Sequence, residues 1–377
     1  MVRMTECNPE GAVDSVVHGP SSTDHPDTTD PGVLLAQRVI ASSCIAIAWG
    51  GRTRLVVADA GPGSRFRRAL HAPAFRRSAI AFRYVLAARA LAQPKHLPPV
   101  PSLEPRDWLP DRLADLRPIS IVVGTPGRAQ SLVVRLASEA GNTRCIAKIA
   151  VATSGSDAID REVAALRDPG VSGHAPELID RGVVDGHASF ITTFEPGRIG
   201  SLRSDGVTQA ARVVPQADAL SPAHHVSDHP WVRRVLRQSG LDADVLAHLV
   251  QRPVPVVRTH GDMAPWNLLV KRDGSVIAID WESSEPDGVP GTDLAHHVMA
   301  TLRFIRRLLP AATVDSTIDT LRRHAGMAHG TALVCTTLAA AQTRLREREV
   351  AGSGGDAFWD DALGAALQRV AEAGSAR

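Results

Sequence analysis

The chain has 377 residues, 44% of them hydrophobic, and 42 Lys plus Arg stand against 40 Asp plus Glu for a net charge of only +2. That length suits two domains or one large unit with additions, the apolar fraction is enough for a sizeable core, and near-neutrality gives no electrostatic reason to invoke nucleic acid. Cys7, Cys44, Cys145 and Cys335 are far apart and lack the paired spacings of zinc or redox sites, so a reducing cytoplasm is the expected compartment. No apolar run approaches the ~20 residues that span a bilayer, so no transmembrane segment is expected, and the N-terminus lacks the basic-then-apolar order of a signal peptide.

Residues 1–32 are rich in Ser, Thr, Asp, Pro and Gly, the composition of a disordered segment. Residues 33–116 form an N-terminal extension of unknown role. Within it, residues 45–49 and 55–58 flank Gly50-Gly51 as a hairpin. A basic stretch follows, with Arg65, Arg67, Arg68, Arg76, Arg77, Arg83 and Arg89 interleaved with apolar residues. A helical pair with a solvated Arg face is the leading reading, and a weak contact of residues 65–92 with an anionic membrane surface or an acidic protein is the other. Residues 94–110 are Pro-rich and read as a linker.

Residues 117–195 read as a small β-rich unit. Strands at 119–123 and 131–136 flank the loop 124–130, whose backbone amides could approach phosphates, although two glycines are also what any hairpin needs. Only three of the 42 basic residues are Lys: Lys95, Lys148 and Lys271. A position kept as Lys against that bias calls for a compact ammonium, not a guanidinium fork. Lys148 interrupts the apolar run 145–151. Glu162 follows on a helix marked by Ile159, Val163 and Leu166, and is the natural partner of that ammonium. Residues 190–197 end a strand in a turn.

Residues 196–350 are mainly helical, with segments at 231–236 and 241–250; His224, His225 and His229 lie in a Pro, Ser and Asp-rich connection and read as loop, not metal ligands. The most informative stretch is His260-Gly261-Asp262-Met263-Ala264-Pro265-Trp266-Asn267, followed by Ile279-Asp280-Trp281-Glu282. Apolar runs at 268–270 and 276–279 surround an Asp-Gly pair, a strong hairpin signal. Asn267 and Asp280 then stand at the two open ends of one hairpin. Phosphoryl transfer to an alcohol needs a carboxylate to orient the hydroxyl and oxygen ligands for Mg2+. Asp262, Asn267 and Asp280 can supply both. His296 and His297 open a helix, the first expected near Asp293. Residues 351–377 form a linker and a terminal helix whose stripe of Phe358, Trp359, Leu363, Leu367 and Val370 reads as core.

The segment resembles the aminoglycoside phosphotransferase and choline kinase-like family, relatives of protein kinases, which carries His-Gly-Asp, four residues, Asn, and later Ile-Asp-Trp or Ile-Asp-Phe. The resemblance implies an α+β, two-lobed protein-kinase-like fold with a small β-rich N-lobe (117–195), a larger helical C-lobe (196–350) and the N-terminal extension. It makes Asp262 the catalytic base and Asn267 and Asp280 the Mg2+ ligands. His260 and Asp293 become supports of the catalytic loop. Lys148 resembles the kinase Lys that contacts the α and β phosphates, held by Glu162. The backbone at Thr193, Phe194 and Glu195 would meet the adenine edge, so ATP is the expected nucleotide, with GTP left open.

The implied acceptor is a small-molecule hydroxyl on a sugar, amino alcohol or aminoglycoside-like compound. A polycationic acceptor needs an acidic pocket, to which Glu282, Glu285 and Asp287 could contribute. Residues 293–349, however, hold eight Arg against five Asp plus Glu. The alternatives are a catalytically weak nucleotide-binding regulatory module, against which the intact set of Asp262, Asn267, Asp280 and Lys148 argues, and a protein kinase, where Arg commonly stands at the position of Gly261. A third reading makes the N-terminal extension an assembly or membrane-recruitment element.

Overall fold

Apolar residues at every second position build one antiparallel sheet in the N-terminal half of the chain. In β5 (Ser131–Ala137), Leu132, Val134 and Leu136 point to one buried face while the residues between them are half-exposed, the period of a strand with one face on a core. Its neighbours are β4 (Arg117–Val123) and β6 (Thr143–Ala150). With β1 (Cys44–Trp49), β2 (Arg52–Ala58), β3 (Lys95–His96), β7 (Leu178–Val184) and β8 (His187–Thr193) they form an eight-stranded sheet in the order β3-β1-β2-β4-β5-β6-β8-β7. Helix α1 (Pro31–Ile40) lays Val33, Ala36 and Val39 among Val56, Ile121 and Val134. The computed structural model describes residues 30–375 apart from 41–42, 50–51, 60, 62–67, 69–83, 85–86, 89, 93–94, 125–129, 153–154, 201–204, 215–220 and 352–355. Of residues 1–32, expected to be disordered, 1–29 fall outside the described residues, while Pro31 and Gly32 begin α1. The Arg-rich helical pair over most of 65–92, residues 125–129 of the loop expected near phosphates, and residues 352–355 of the expected linker also fall outside them.

Residues 94–110 are not a free linker. Strand β3 pairs with β1, Leu103 N–H donates to Arg38 O at 2.8 Å, and Leu97 and Leu109 are buried. Pro105 starts a one-turn 3-10 helix, Pro105–Asp107, where the missing N–H is not needed. The strands at 44–58 likewise belong to the same sheet as the strand of Lys148, because β2 pairs with β4.

Helix α2 (Ser156–Leu166) covers the sheet below β6 and β8, with Ile159 and Val163 against Phe190 and Glu162 buried on the same side. The chain then enters a second, mainly helical lobe. Short strands β9 (Arg198–Ile199), β10 (Ala223–His224), β11 (Val254–Pro255), β12 (Val257–Thr259), β13 (Leu268–Val270), β14 (Val276–Ala278) and β15 (Glu285–Gly288) form three small sheets. Around them pack α3 (Asp205–Ala211), α4 (Pro230–Gln238), α5 (Thr292–Ala300), α6 (Pro310–Ala325), α7 (His329–Ala351) and α8 (Ala357–Ser375). Helix α4 has Pro in its first turn and buries Trp231, Val232, Val235 and Leu236 at helical spacing. Residues 241–250, expected as a helix, make only the 3-10 turn Ala243–Leu246, capped by Asp242, whose side chain accepts from Asp244 N–H. The backbone then runs so close to α7 that a Cβ on Gly330 would lie 2.2 Å from Leu249 O, an approach that fits Gly330 and leaves no room for another helical turn.

Helix α7 runs through the core of this lobe with Ala332 to Ala341 buried almost without interruption. Its buried Thr336, Thr337 and Thr343 donate their hydroxyls to carbonyls four residues back at 2.7–2.9 Å, which removes the cost of burying them. The stripe on α8 packs as core, with Phe358, Trp359, Leu363 and Val370 buried and Leu367 partly so. No helix among the described residues is long and apolar enough to cross a membrane.

Candidate active site

The loop that follows β12 is held by side chains that come back to it from later in the chain. His260 N–H and Gly261 N–H donate to the two oxygens of Asp293 at 2.7 and 2.9 Å. Asp293 is buried in the first turn of α5; burial pushes its carboxyl above the usual range while His260 and the two backbone donors oppose that rise. The His260 ring spans the loop, donating from Nε2 to Ile279 O at 3.0 Å and accepting at Nδ1 from Asp262 N–H at 3.2 Å, so its tautomer is set by its partners. Asn267 Nδ2 donates to Asp262 O at 2.8 Å and to Asp262 Oδ2 at 3.3 Å. The β13–β14 hairpin pairs Leu268 with Ala278 and turns at Gly274, and Ile279 N–H donates to Asn267 O at 2.9 Å. Asn267 and Asp280 therefore face each other across its open end.

Gly261 has φ 78°, and a Cβ there would lie 2.0 Å from Ser283 O and 3.1 Å from Gln342 Nε2. A backbone carbonyl cannot retreat cheaply, and the left-handed conformation alone costs a side-chain-bearing residue ~1–2 kcal/mol. An Arg at this position, which the protein-kinase alternative calls for, has no place here. Gly261→Ala is expected to destabilise the protein by at least ~2 kcal/mol; an unchanged urea midpoint would rule out this account of the loop.

Lys148 reaches from β6 to the hairpin. Its Nζ lies 2.8 Å from Glu162 Oε2, 2.6 Å from Asp280 Oδ1 and 2.7 Å from Glu282 Oε2, at a side-chain exposure of only 8%. Burial alone would lower the ammonium's pKa, yet the joint field of Asp280, Glu162 and Glu282 outweighs it and holds Lys148 well above its ordinary value. The carboxylates divide the strain unequally. Burial pushes Glu162 up to about 7 against the pull of Lys148, and raises Glu282 with help from Asp280. Burial also works upward on Asp280, but Lys148 brings it below the usual range by charge and hydrogen bond. Asp280 sits at φ 69°, a left-handed turn that aims its carboxylate at Lys148 and leaves Trp281 N–H to donate to Glu162 Oε1 at 3.1 Å. Glu162, Asp280 and Glu282 offer ligand oxygens within 4.8 Å of one another, and three acids against one ammonium suit a divalent cation of the hard, oxygen-seeking kind. Asn267 Oδ1, whose amide nitrogen alone is engaged, adds a fourth oxygen on the same hairpin.

Thr193, Phe194 and Glu195 stand apart from this cluster, at the end of β8. Thr193 N–H donates to Glu177 O at 3.0 Å and Phe194 N–H to Arg144 O at 2.9 Å, so neither is available to a base. Glu195 pairs its side chain with Thr193 Oγ1 at 2.9 Å and Lys271 Nζ at 2.7 Å. A cavity of about 740 Å³ lies against Thr193 and Glu195 on the side of Val171, Pro176 and Leu178; neither Lys148 nor Asp262 lines it.

Three features escaped sequence reasoning. Glu282 joins Lys148, while Glu285 and Asp287 both bind Arg234 at 2.8–2.9 Å, so each of the three has a cationic partner within the protein. Arg346 of α7 places Nη1 3.0 Å from Asp262 Oδ1 and 2.9 Å from Gly261 O. His296, one helical turn after Asp293, also lies beside Asp262, its Nε2 3.6 Å from Oδ1. No local signal marks a helical Arg eighty-odd residues downstream as a partner of Asp262.

His296 and His297 are both buried and neutral: burial drives their pKa values from 6.5 to about 3 and about 4, opposed by Asp262 for the first and a Met263 backbone hydrogen bond for the second. As pH falls below 6.5 the unfolded chain takes up two protons that the folded state refuses, so stability drops by ~1.4 kcal/mol per pH unit for each ring. Glu162, shifted the other way, offsets one of them between its ordinary 4.5 and about 7. His297→Gln is expected to flatten the loss between pH 6.5 and 5 by about one such proton, read from urea unfolding; a slope equal to wild type's would exclude a neutral buried ring.

The family model of the phosphotransferase enzyme family matches residues 65–330. The chain belongs to that family. The match includes Lys148, Glu162, His260, Asp262, Asn267, Asp280, Glu282 and Asp293, and ends before Arg346. Comparison with curated proteins gave no match. Solved structures similar to this phosphotransferase-family chain include the Plasmodium vivax ethanolamine kinase, at 12% identity over 79% of this chain and 89% of that one with a TM-score of 0.43. The GDP complex of aminoglycoside 2'-phosphotransferase-IIIa is similar at 14% identity over 70% and 96%, TM-score 0.40. An aminoglycoside-3'-phosphotransferase of type VIII is similar at 19% identity over 71% and 97%, TM-score 0.34.

Proposed function

We propose that this phosphotransferase moves the γ-phosphate of ATP to a hydroxyl of a small molecule. One observation carries the reading: Lys148, from the sheet, meets Asp280 at 2.6 Å on the same hairpin that presents Asn267 to Asp262 at 3.3 Å. A phosphate-neutralising ammonium and a base-plus-ligand set are thereby joined across the two lobes.

In this reading Asp262 orients the acceptor hydroxyl and takes its proton. Asp280 and the free Oδ1 of Asn267 would hold Mg2+, which supplies charge neutralisation at the phosphates when bound. Glu282, already turned into the cluster, is a further oxygen for the same ion. Lys148, kept charged by Asp280, Glu162 and Glu282 and fixed by Glu162, contacts the α and β phosphates. With the N–H groups of Thr193 and Phe194 already used, Glu195 N–H is the donor we assign to the nucleobase edge. His260 and Asp293 fix the loop without touching substrate.

The test is a nucleotide-consumption screen of sugars, amino alcohols and aminoglycosides with wild type beside Asp280→Ala. Acceptor-dependent ADP release is expected from wild type only, abolished by EDTA and restored by Mg2+. Equal release by Asp280→Ala would remove the metal assignment.

A further inference from the structure

We infer that Arg346 reads the acceptor, and that the acceptor carries an anionic group next to the hydroxyl that is phosphorylated; this rests on the phosphotransfer reading above. Arg346 spends a single nitrogen on the protein: Nη1 bridges Gly261 O at 2.9 Å and Asp262 Oδ1 at 3.0 Å. Its Nε and Nη2 donate to none of the described residues, and the side chain is 24% exposed, at the same depth as the 25% exposed side chain of Asp262. A guanidinium is planar, and its two outward N–H groups match the spacing of a carboxylate or a phosphate. One nitrogen of the fork is thus anchored beside Asp262, and the other two are left without a partner among the described residues.

The surroundings point the same way. The acids that would attract a cationic acceptor are already committed, Glu282 to Lys148 and Glu285 and Asp287 to Arg234. An ammonium one or two bonds from the reacting hydroxyl would come up against the Arg346 guanidinium, which disfavours amino alcohols and aminoglycosides. An anionic acceptor meets the reverse: its charge pairs with the free edge of Arg346 while its hydroxyl faces Asp262. Because that charge would otherwise repel Asp262, the Arg that touches both relieves the repulsion and sets the distance between them.

The full-length protein is assayed for ADP release with matched acceptors: glucuronate and glycerate as carboxylates, glycerol phosphate as a phosphate ester, glucose and glycerol as neutral forms, glucosamine and serinol as cations. The expected result is a kcat/KM for one anionic arm at least roughly tenfold above its neutral counterpart, the favoured arm telling carboxylate from phosphate. Arg346→Gln should erase that preference by roughly 10- to 100-fold, chiefly through KM of the anion, and Arg346→Lys should restore part of it. A merely structural Arg346 would lower anionic and neutral acceptors alike, and that outcome overturns the assignment. Preference for the neutral or cationic arms in wild type overturns it without any variant and leaves the phosphotransfer reading standing. Silence in every arm overturns the phosphotransfer reading itself.

Discussion

Lys148→Met is expected to damage folding and turnover together. The ammonium is buried among three carboxylates at 2.6–2.8 Å. Removing one partner of a buried ion pair typically costs ~3–5 kcal/mol, because the charge left behind is uncompensated. Here the loss should be softened at low pH. Glu162 already stands at about 7 with Lys148 in place, and without it Glu162 and Glu282 would take up protons more readily still. Their folded-state pKa values then lie above the unfolded ones, so the penalty is absent below the ordinary carboxylate range and grows as pH rises through the folded values. Urea midpoints of wild type and Lys148→Met should diverge from pH 5.5 to pH 8, and a gap that stays constant would show that the acids are not sensing Lys148. Turnover should fall by roughly 100- to 1,000-fold even under conditions where the variant is folded, since the proposed mechanism loses the preorganised charge it assigns to the phosphates.

Asp262→Asn should separate chemistry from structure. The amide keeps the size of the carboxylate and can remain beside Asn267, so the loop held by Asp293 and His260 should stay in place. What disappears is the charge facing Arg346 and the proton acceptor. Turnover is expected to drop by about 100- to 10,000-fold, the range of general-base catalysis, with affinity for a non-hydrolysable ATP analogue nearly unchanged. Unchanged turnover would take Asp262 out of the mechanism; a parallel loss of nucleotide binding would mean that the loop had moved.

The parts of the site that could be read from the sequence are those set by short-range geometry or by a biased alphabet. Asn267 and Asp280 were placed together because a hairpin with an Asp-Gly turn brings its ends together, and the two are joined by Ile279 N–H and Asn267 O at 2.9 Å. Lys148 stood out as one of three Lys in an Arg-rich chain, and Glu162 followed from the helix that must lie next in space. Glu282, Arg234 and Arg346 could not be placed in the same way. Each is an ordinary charge in its local context, and its partner is chosen by how helices dock, not by spacing along the chain. The same limit explains residues 94–110 and 241–250, where composition pointed to a linker and a helix and tertiary packing of Leu97, Leu109, Leu246 and Leu249 decided otherwise.

The β13–β14 hairpin has a consequence for the order in which the site comes into being. Asp262 and Asn267 are five residues apart, and His260 bonds to Ile279 across nineteen, whereas Lys148 must find Asp280 across 132 residues. Contacts between near neighbours in sequence close at little entropic cost, and distant ones wait for the rest of the chain. The acid-bearing half of the centre is therefore a local fold that can assemble with its own hairpin. The ammonium arrives only when the sheet docks, so the Lys148–Asp280 pair is the last part of the centre to close.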